Sequence, residues 1–465
     1  MSAGAEADNE EGPVGGWLVR LREAVRTQLW PVPVAGVLLA VLLGIGLPRL
    51  DQEVGDSIPS GLQRYLFGGG AGAASTVLDA IASSMITVTS LTFSLTVVTL
   101  QLASSQFSPR LLRTFMRDRV VHLTLALFLT TFTYALTVLR TVRTKSPAVD
   151  EFVPQISVTT GFVLVVASVI GLVGFLAHLA SQIRVETMLR NVHRDASATL
   201  HRVLTEREDG SEDSPPDVAP PADAVPLRSG TSGFLVGIDV KALVEVAVKA
   251  DAVIWVDRAV GSSLTDGAPL GAAWARAGGA RLDSDTRDDL TRVVRSAVST
   301  GRERTAADDV AFGLRQLTDV VNKALSPGIN DPTTAVHGLG HSAALLSEMA
   351  NHELGTTVHC DDHGAVRVLL RQQTFSELVE LAVAQPRRYG ASDPAVLEAI
   401  AVLLRELAWR VPGDRRPVVR GQLDRLRRTI DDAGHPPADV TSLEHVLEQA
   451  EQALLGRWLA DEPRR

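Results

Sequence analysis

The chain has almost no cysteine, and its basic residues give no excess of positive charge. A single cysteine, Cys360, excludes a disulfide framework and any zinc or iron–sulfur site built from several cysteines. Residues 1–183 carry equal numbers of acidic and basic side chains, so the whole net charge of −9 belongs to residues 184–465. A nucleic-acid-binding surface needs a basic face, so this acidic second half argues against nucleic acid as a partner.

Charged residues are also missing from four long segments of the first half. At 465 residues the chain is long enough for more than one folding unit, and its mean hydropathy of +0.14 is high for a soluble protein of that length. The charge-free segments cover residues 27–48, 80–109, 120–139 and 152–183. Each reaches the roughly 20 residues that a helix needs to cross a membrane. They predict four transmembrane helices, and buried core helices are the alternative.

The loop charges predict how these helices are oriented. Arginines precede the first segment and follow the second and the fourth, whereas acidic residues dominate the loop after the first. The positive-inside rule therefore predicts that both termini and the second connection are cytoplasmic. The third connection, with Arg140, Arg143 and Lys145, departs from this pattern.

The predicted fold class is a membrane all-α bundle of four transmembrane helices, followed by a mixed α/β, mainly helical, cytoplasmic region. Five regions follow along the chain: a disordered tail (1–26), the membrane bundle (27–183), a helical extension with an acidic, proline-rich linker (184–230), a small α/β module (231–280) and a mainly helical domain (281–465). Within the module, strands are predicted at 233–240 and 253–260, with a hairpin turn at 264–270. One strand, at 365–370, interrupts the later helices.

The second charge-free segment is rich in hydroxyl side chains. Thr89, Thr92, Thr96 and Thr99 recur every three or four residues, which places them on one face of a helix. Small and hydroxyl residues let membrane helices pack closely, so packing is one interpretation. The other is a polar lining for a permeating ion, in which Gln101 extends the row of threonines.

A cluster of arginines follows this segment. Arg110, Arg113 and Arg117 share one face of the next predicted helix, at the membrane interface. They either anchor an interfacial helix on anionic headgroups or attract anions to the mouth of a pore. Both alternatives stay open.

Two prolines and a glycine interrupt the helices of the second half. The candidate residues of this turn are Ser326, Pro327, Gly328, Asn330, Asp331 and Pro332. An aspartate directly before a proline is typical of a helix start. The polar side chains of the turn either bond free backbone groups or face a ligand.

Histidines are concentrated just after this turn. His337 and His341 are four residues apart on the predicted helix, a spacing that can hold a metal, and His359 and His363 follow. A zinc site needs three or four converging ligands, so the alternative is that these are ordinary surface or core histidines. No serine lies in a nucleophile elbow, and we expect no cofactor.

Three sequence motifs resemble one bacterial family. They are SLTFSLTVVTLQLASSQFSPRLLRTFMRDR (90–119), SGFLVGID (232–239) and GRERTAADDVAFGLRQLTDVVNKALSPGINDPTTA (301–335). Together they resemble the bacterial predicted membrane protein family, domain of unknown function twenty-two fifty-four, over residues 20–430. The resemblance implies a polytopic protein of the bacterial inner membrane with a soluble C-terminal region. It implies no activity, substrate or catalytic residue.

Two hypotheses of function stay open. In the first, the protein is a non-enzymatic homo-oligomer in the lipid bilayer, and its spans form an ion channel or sensor gated by the cytoplasmic region. A pathway would then lie between subunits, because four helices enclose little volume. In the second, the spans only anchor a scaffold that recruits a cytoplasmic protein partner. A metal-dependent hydrolase that uses the histidines is a third alternative.

Overall fold

The computed structural model describes seven stretches of the chain and divides it into two compact units. The described residues are 30–54, 64–106, 118–144, 151–182, 184–207, 220–276 and 281–458. The N-terminal unit is Met1–Arg184 and the C-terminal unit is Val185–Arg465. The predicted tail at 1–26 and residues 208–219 of the predicted linker lie outside the described residues.

The N-terminal unit is built from long apolar helices. Its described helices are α1 (Pro31–Val54), α2 (Ala71–Gln106), α3 (Arg119–Leu139) and α4 (Gln155–Gln182). All four are long and apolar enough to cross a membrane, which confirms the prediction of four such helices. However, α2 begins before residue 80, so Asp79 lies inside an apolar helix. A single exposed carboxylate leaves the backbone hydrogen bonds of a helix intact, and for that reason Asp79 does not end α2.

Helix α3 is the central helix of this unit and packs against each of the other three. Phe128 and Tyr134 on α3 have no exposed surface, and the Tyr134 hydroxyl donates to the carbonyl oxygen of Ser157 in α4 at 2.9 Å. A Cβ atom on Gly44 of α1 would lie 2.7 Å from the Cβ atom of Thr137 in α3. The lack of a side chain at position 44 therefore allows α1 to approach α3 closely.

Two carboxylates cap the first turns of helices that lie elsewhere in the chain. Asp51 of α1 is buried and accepts hydrogen bonds from the backbone N–H groups of Ile156 (2.8 Å) and Ser157 (3.0 Å), and from the Ser157 hydroxyl (2.7 Å). Glu151 accepts from the N–H group of Ala71 at 2.8 Å. The first N–H groups of a helix have no partner within it, and a negative charge there is favourable. These bonds tie α1 to α4, and the start of α2 to the residues before α4.

The C-terminal unit mixes helices and strands. Its described elements are α5 (Val185–Val203), β1 (Val225–Arg228), β2 (Gly233–Ile238), α6 (Val240–Lys249), β3 (Ala252–Val256), β4 (Ser263–Leu264), β5 (Pro269–Ala275), α7 (Ser284–Ala297), β6 (Val298–Gly301), α8 (Val310–Ala324), α9 (Pro332–Met349), β7 (Thr356–Cys360), β8 (Val366–Arg371), α10 (Phe375–Tyr389), α11 (Pro394–Arg410), α12 (Arg416–Ala433) and α13 (Pro437–Leu454). The strands form a five-stranded sheet of order β1-β5-β3-β8-β7 and a three-stranded sheet of order β4-β2-β6. Strands β3 and β8 are parallel.

The two sheets correct the predicted α/β module. Strands β4 and β5 flank the predicted turn at 264–270 but belong to different sheets, so the predicted hairpin is wrong. The turn residues are typical of a chain reversal, but β4 pairs with β2 and β5 pairs with β1 and β3. Strands β7 and β8 complete the larger sheet from far along the chain. The mixed α/β character is confirmed, and "mainly helical" is only partly right.

Helices α5, α8 and α9 pack closely together at two glycines. A Cβ atom on Gly313 of α8 would lie 2.2 Å from the Cβ atom of Ala196 in α5. A Cβ atom on Gly338 of α9 would lie 2.5 Å from a methyl carbon of Val321 in α8. Real Cβ atoms do not approach other heavy atoms so closely, so these contacts require glycine.

Replacing Gly338 by alanine should destabilise the C-terminal unit, whereas the same change at Gly340 should not. At Gly340, which is exposed on the same helix, no atom lies within 4 Å of an added Cβ atom. Alanine is favoured over glycine inside a helix by about 1 kcal/mol, so Gly340→Ala is expected to raise the unfolding midpoint. Thermal unfolding of the full-length variants in detergent measures both changes. Equal midpoints would contradict the close packing of α8 and α9.

Candidate functional site

The face of α2 that carries the predicted threonines is packed inside the N-terminal unit. Thr92, Thr96 and Thr99 are buried, and Thr89 is half-buried. The hydroxyls of Thr89, Thr96 and Thr99 donate to backbone carbonyl oxygens four residues earlier in the same helix, at 2.6, 2.8 and 2.9 Å. The Thr92 hydroxyl has no partner among the described residues. Whether this face lines a pathway stays a prediction.

The opposite face of α2 carries a second row of polar side chains, all of them exposed. We call this row the polar stripe: Thr76, Asp79, Ser83, Thr87, Ser90, Ser94 and Gln101. With about 3.6 residues per turn, these side chains fall within an arc of about 80°. Gln101 is therefore separated from the predicted threonines and lies on the exposed face.

Hydrophobic side chains border the polar stripe on both sides. Ile86 lies at one edge with 44% of its surface exposed, and Leu91 lies at the other with 57% exposed. The apolar parts of the other three helices are residues 32–47, 120–139 and 161–180. In these parts, every exposed residue that the structure describes is hydrophobic, alanine or glycine. A row of exposed polar groups within an apolar surface thus distinguishes α2.

The turn before α9 uses its polar groups for its own backbone. Asp331 caps α9 by accepting from the N–H group of Thr334 at 3.1 Å and from its hydroxyl at 2.5 Å. These hydrogen bonds lower the pKa of the Asp331 carboxyl below its ordinary value. Asn330 is exposed and adopts a left-handed φ of 50°, and the Ser326 hydroxyl donates to the carbonyl oxygen of Lys323 at 2.7 Å.

The predicted cluster of interfacial arginines, which is Arg110, Arg113 and Arg117, lies outside the described residues.

The predicted metal-binding histidines do not meet in one group among the described residues. The four candidates are His337, His341, His359 and His363. A ring nitrogen of His337 lies 3.7 Å from a carboxylate oxygen of Glu186, and the His341 ring lies 5.6 Å from that of His193. Burial lowers the pKa of His341 and of His359, which favours their neutral forms. Among the described residues, none of the four belongs to a group of three potential metal ligands.

A different group of potential ligands comes together beside a cleft of the C-terminal unit. His201 in the last turn of α5, Glu206 just after it and His352 just after α9 each place one ligand atom within 4.8 Å of the others. Residues on either side of these ligands, among them Thr205 and Glu353, line a cleft of about 720 Å³. No spacing motif marks this group in the sequence, because His352 lies far along the chain from His201 and Glu206.

Comparison with known proteins gives a family but no activity. The family described as "Predicted membrane protein (DUF2254)" matches residues 26–406. Uncharacterised proteins of Mycobacterium bovis and Mycobacterium tuberculosis are each 35% identical over 398 residues, which cover 85% of this chain and 74% of each relative. No solved structure matches the chain.

Thr131→Val should destabilise the N-terminal unit more than Thr92→Val. The buried hydroxyls of Thr131 in α3 and Ser168 in α4 are hydrogen-bonded at 3.0 Å, so valine at position 131 removes a bond between helices. Losing it should cost about 1 kcal/mol. Valine at position 92 removes only a buried polar group that has no partner in the described part of the chain, so stability should stay equal or rise. Thermal unfolding in detergent gives the unfolding midpoint of each variant. A larger drop of the midpoint for Thr92→Val than for Thr131→Val would contradict a stabilising hydrogen bond between Thr131 and Ser168.

Proposed function

We propose that this chain, which belongs to the family described as predicted membrane proteins, is a non-enzymatic, oligomeric ion channel. In this proposal the polar stripe of α2 faces the polar stripes of other copies of the chain, and together they line the pathway. The observation that carries the proposal is the exposed position of Asp79 and its hydroxyl neighbours within an apolar helix.

A bilayer cannot accommodate this stripe without cost. Asp79 lies in the third turn of α2, within the first third of the apolar span Ala71–Leu102. Ionisable groups within such spans usually face a helix bundle or a water-filled cavity. Within the described residues, α3 and α4 pack against α2, and the residues of the stripe stay exposed. A second copy of α2 supplies the polar surface that lipid lacks.

The pathway would lie between subunits rather than inside one. Large side chains of α3 and α4, such as Phe128, Tyr134 and Phe175, are fully buried at the centre of the N-terminal unit. Hydroxyl and amide groups can replace part of the hydration shell of an ion, and Ser90, Ser94 and Gln101 supply them along the stripe. A ring of Asp79 carboxylates would favour cations over anions.

The C-terminal unit offers a site from which such a pathway could be regulated. Only residues 183–184 separate α4 from α5 in the sequence. The last residues of α5 line the cleft of about 720 Å³. Occupation of this cleft would therefore act on the segment directly attached to the last apolar helix. This supports the sensor form of the proposal, in which the predicted cytoplasmic region gates the membrane unit.

Ion flux through the purified full-length protein in liposomes tests the proposal. We expect K⁺ flux that exceeds Cl⁻ flux, and a smaller preference for K⁺ in Asp79→Asn because the carboxylate ring is removed. The double variant Ser90→Leu and Ser94→Leu should lower K⁺ flux about tenfold or more, since it replaces the polar lining with apolar side chains.

The matched control is the double variant Thr92→Val and Thr96→Val on the buried face of the same helix. We expect it to keep its flux, because these side chains point away from the polar stripe. Loss of flux in this control, with normal flux in the serine variant, would show that the pathway follows the predicted threonine face and would overturn the role of the stripe. No flux of K⁺, Na⁺ or Cl⁻ at any voltage would overturn the channel and favour the membrane-anchored scaffold.

A further inference from the structure

The chain segments after α5 and α9 meet as a short antiparallel bridge. Glu206 pairs with His352 in this bridge. The N–H group of Glu353 donates to the carbonyl oxygen of Thr205 at 3.0 Å, and the N–H group of Arg207 donates to that of Asn351 at 2.9 Å. The backbone thus places the side chains of Glu206 and His352 side by side, although they are distant in the sequence.

His201 joins this pair from the last turn of α5. The rings of His201 and His352 lie 5.2 Å apart between centroids, at an angle of 60°. One ligand atom from each of His201, Glu206 and His352 lies within 4.8 Å of the other two. His201 and Glu206 are exposed, so their side chains can turn towards a common ion with little resistance.

His352 is held in the form that a metal ligand requires. It is only 3% exposed, and its Nδ1 atom lies 2.9 Å from the carbonyl oxygen of Glu348. A carbonyl oxygen only accepts, so Nδ1 carries a proton, and in the neutral ring Nε2 then carries the lone pair. Metal-binding histidines are commonly oriented in this way, with the second nitrogen donating to a backbone carbonyl.

The Nε2 atom of His352 is buried and has no hydrogen-bond partner among the described residues. A buried acceptor without a partner is costly, typically by about 1–3 kcal/mol. A cation between Nε2 and the two exposed ligands would satisfy this atom, and it would explain why a polar nitrogen is buried here.

Arg415 fixes the backbone that carries His352. It is 1% exposed, and its guanidinium donates to the carbonyl oxygens of Ala350 at 2.7 Å and His352 at 2.9 Å. These bonds satisfy the end of α9 and hold the position of His352 before any ion arrives. The neighbouring Arg207 is paired with Asp414 at 2.9 Å, so part of the local positive charge is compensated.

We propose that His201, Glu206 and His352 bind a divalent transition-metal ion, and by their chemistry Zn²⁺. Two imidazoles and one carboxylate form a set of three protein ligands that zinc accepts in tetrahedral geometry. Three protein ligands leave one position open for water or another small ligand. The cleft of about 720 Å³ is lined by neighbours such as Thr205 and Glu353 and not by the three ligands, so a small ligand would reach the open position from the exposed side of His201 and Glu206. The geometry that carries this site does not rest on the proposed channel.

Zinc binding to the full-length protein tests the proposal directly. The protein is purified without a histidine tag, stripped with a chelator and titrated with Zn²⁺ in competition with a chromophoric chelator. We expect one Zn²⁺ per chain. His201→Ala and Glu206→Gln alter exposed side chains and should leave the fold intact, and each should weaken binding by about tenfold or more because a ligand is lost.

His363→Ala is the matched control, because it removes an exposed histidine of the same unit that lies outside the group. It should bind Zn²⁺ like the wild type. As a second readout, Co²⁺ should give the visible absorption of a four-coordinate ion with the wild type and lose it with His201→Ala. Binding that is equally strong in the wild type and His201→Ala, or no stoichiometric binding at all, would overturn the proposal whether or not the protein conducts ions.

Discussion

The arrangement of the N-terminal unit depends on one constraint, which is that hydrocarbon offers no partner to a polar group. Helix α2 has two polar faces, and hydroxyls on both of them donate to the backbone of their own helix, as those of Thr76, Ser83 and Thr87 do on the outer face. On the inner face, the hydroxyls of Thr89, Thr96 and Thr99 bond to the backbone of their own helix and pack inside the unit. On the outer face, Asp79 and the rest of the polar stripe lie between hydrophobic side chains that suit lipid. We propose that this outer face packs against a second copy of the chain.

Much of the fold can be predicted from the sequence because its strongest signals are local. Charge-free segments predict the four apolar helices, and Asp331 before Pro332 predicts the start of α9. Strand pairing is not local. The residues at 264–270 show a chain reversal, but whether β4 and β5 pair with each other depends on strands elsewhere, among them β8. That is why the turn was predicted and the hairpin was wrong.

The candidate sites were less predictable for two different reasons. A spacing of three or four residues shows that Thr92 and Thr96 share a face, but Ser90 and Ser94 share another by the same rule. The packing of α2 against α3 and α4 decides which face is buried. The group of His201, Glu206 and His352 has no sequence signal, because a bridge between two distant segments creates it. Only the structure shows that the Nε2 atom of His352 is buried and has no hydrogen-bond partner among the described residues.

The most direct test of the account is disulfide cross-linking between copies of the full-length chain in native membranes. In a Cys360→Ser background, Ser90→Cys places a thiol on the polar stripe, and Ile170→Cys places one on the exposed apolar face of α4, where Ile170 is 67% exposed. Mild oxidation should produce linked dimers with Ser90→Cys and none with Ile170→Cys. Cross-linking of Ile170→Cys without cross-linking of Ser90→Cys would contradict the claim that the polar stripes of neighbouring copies face one another.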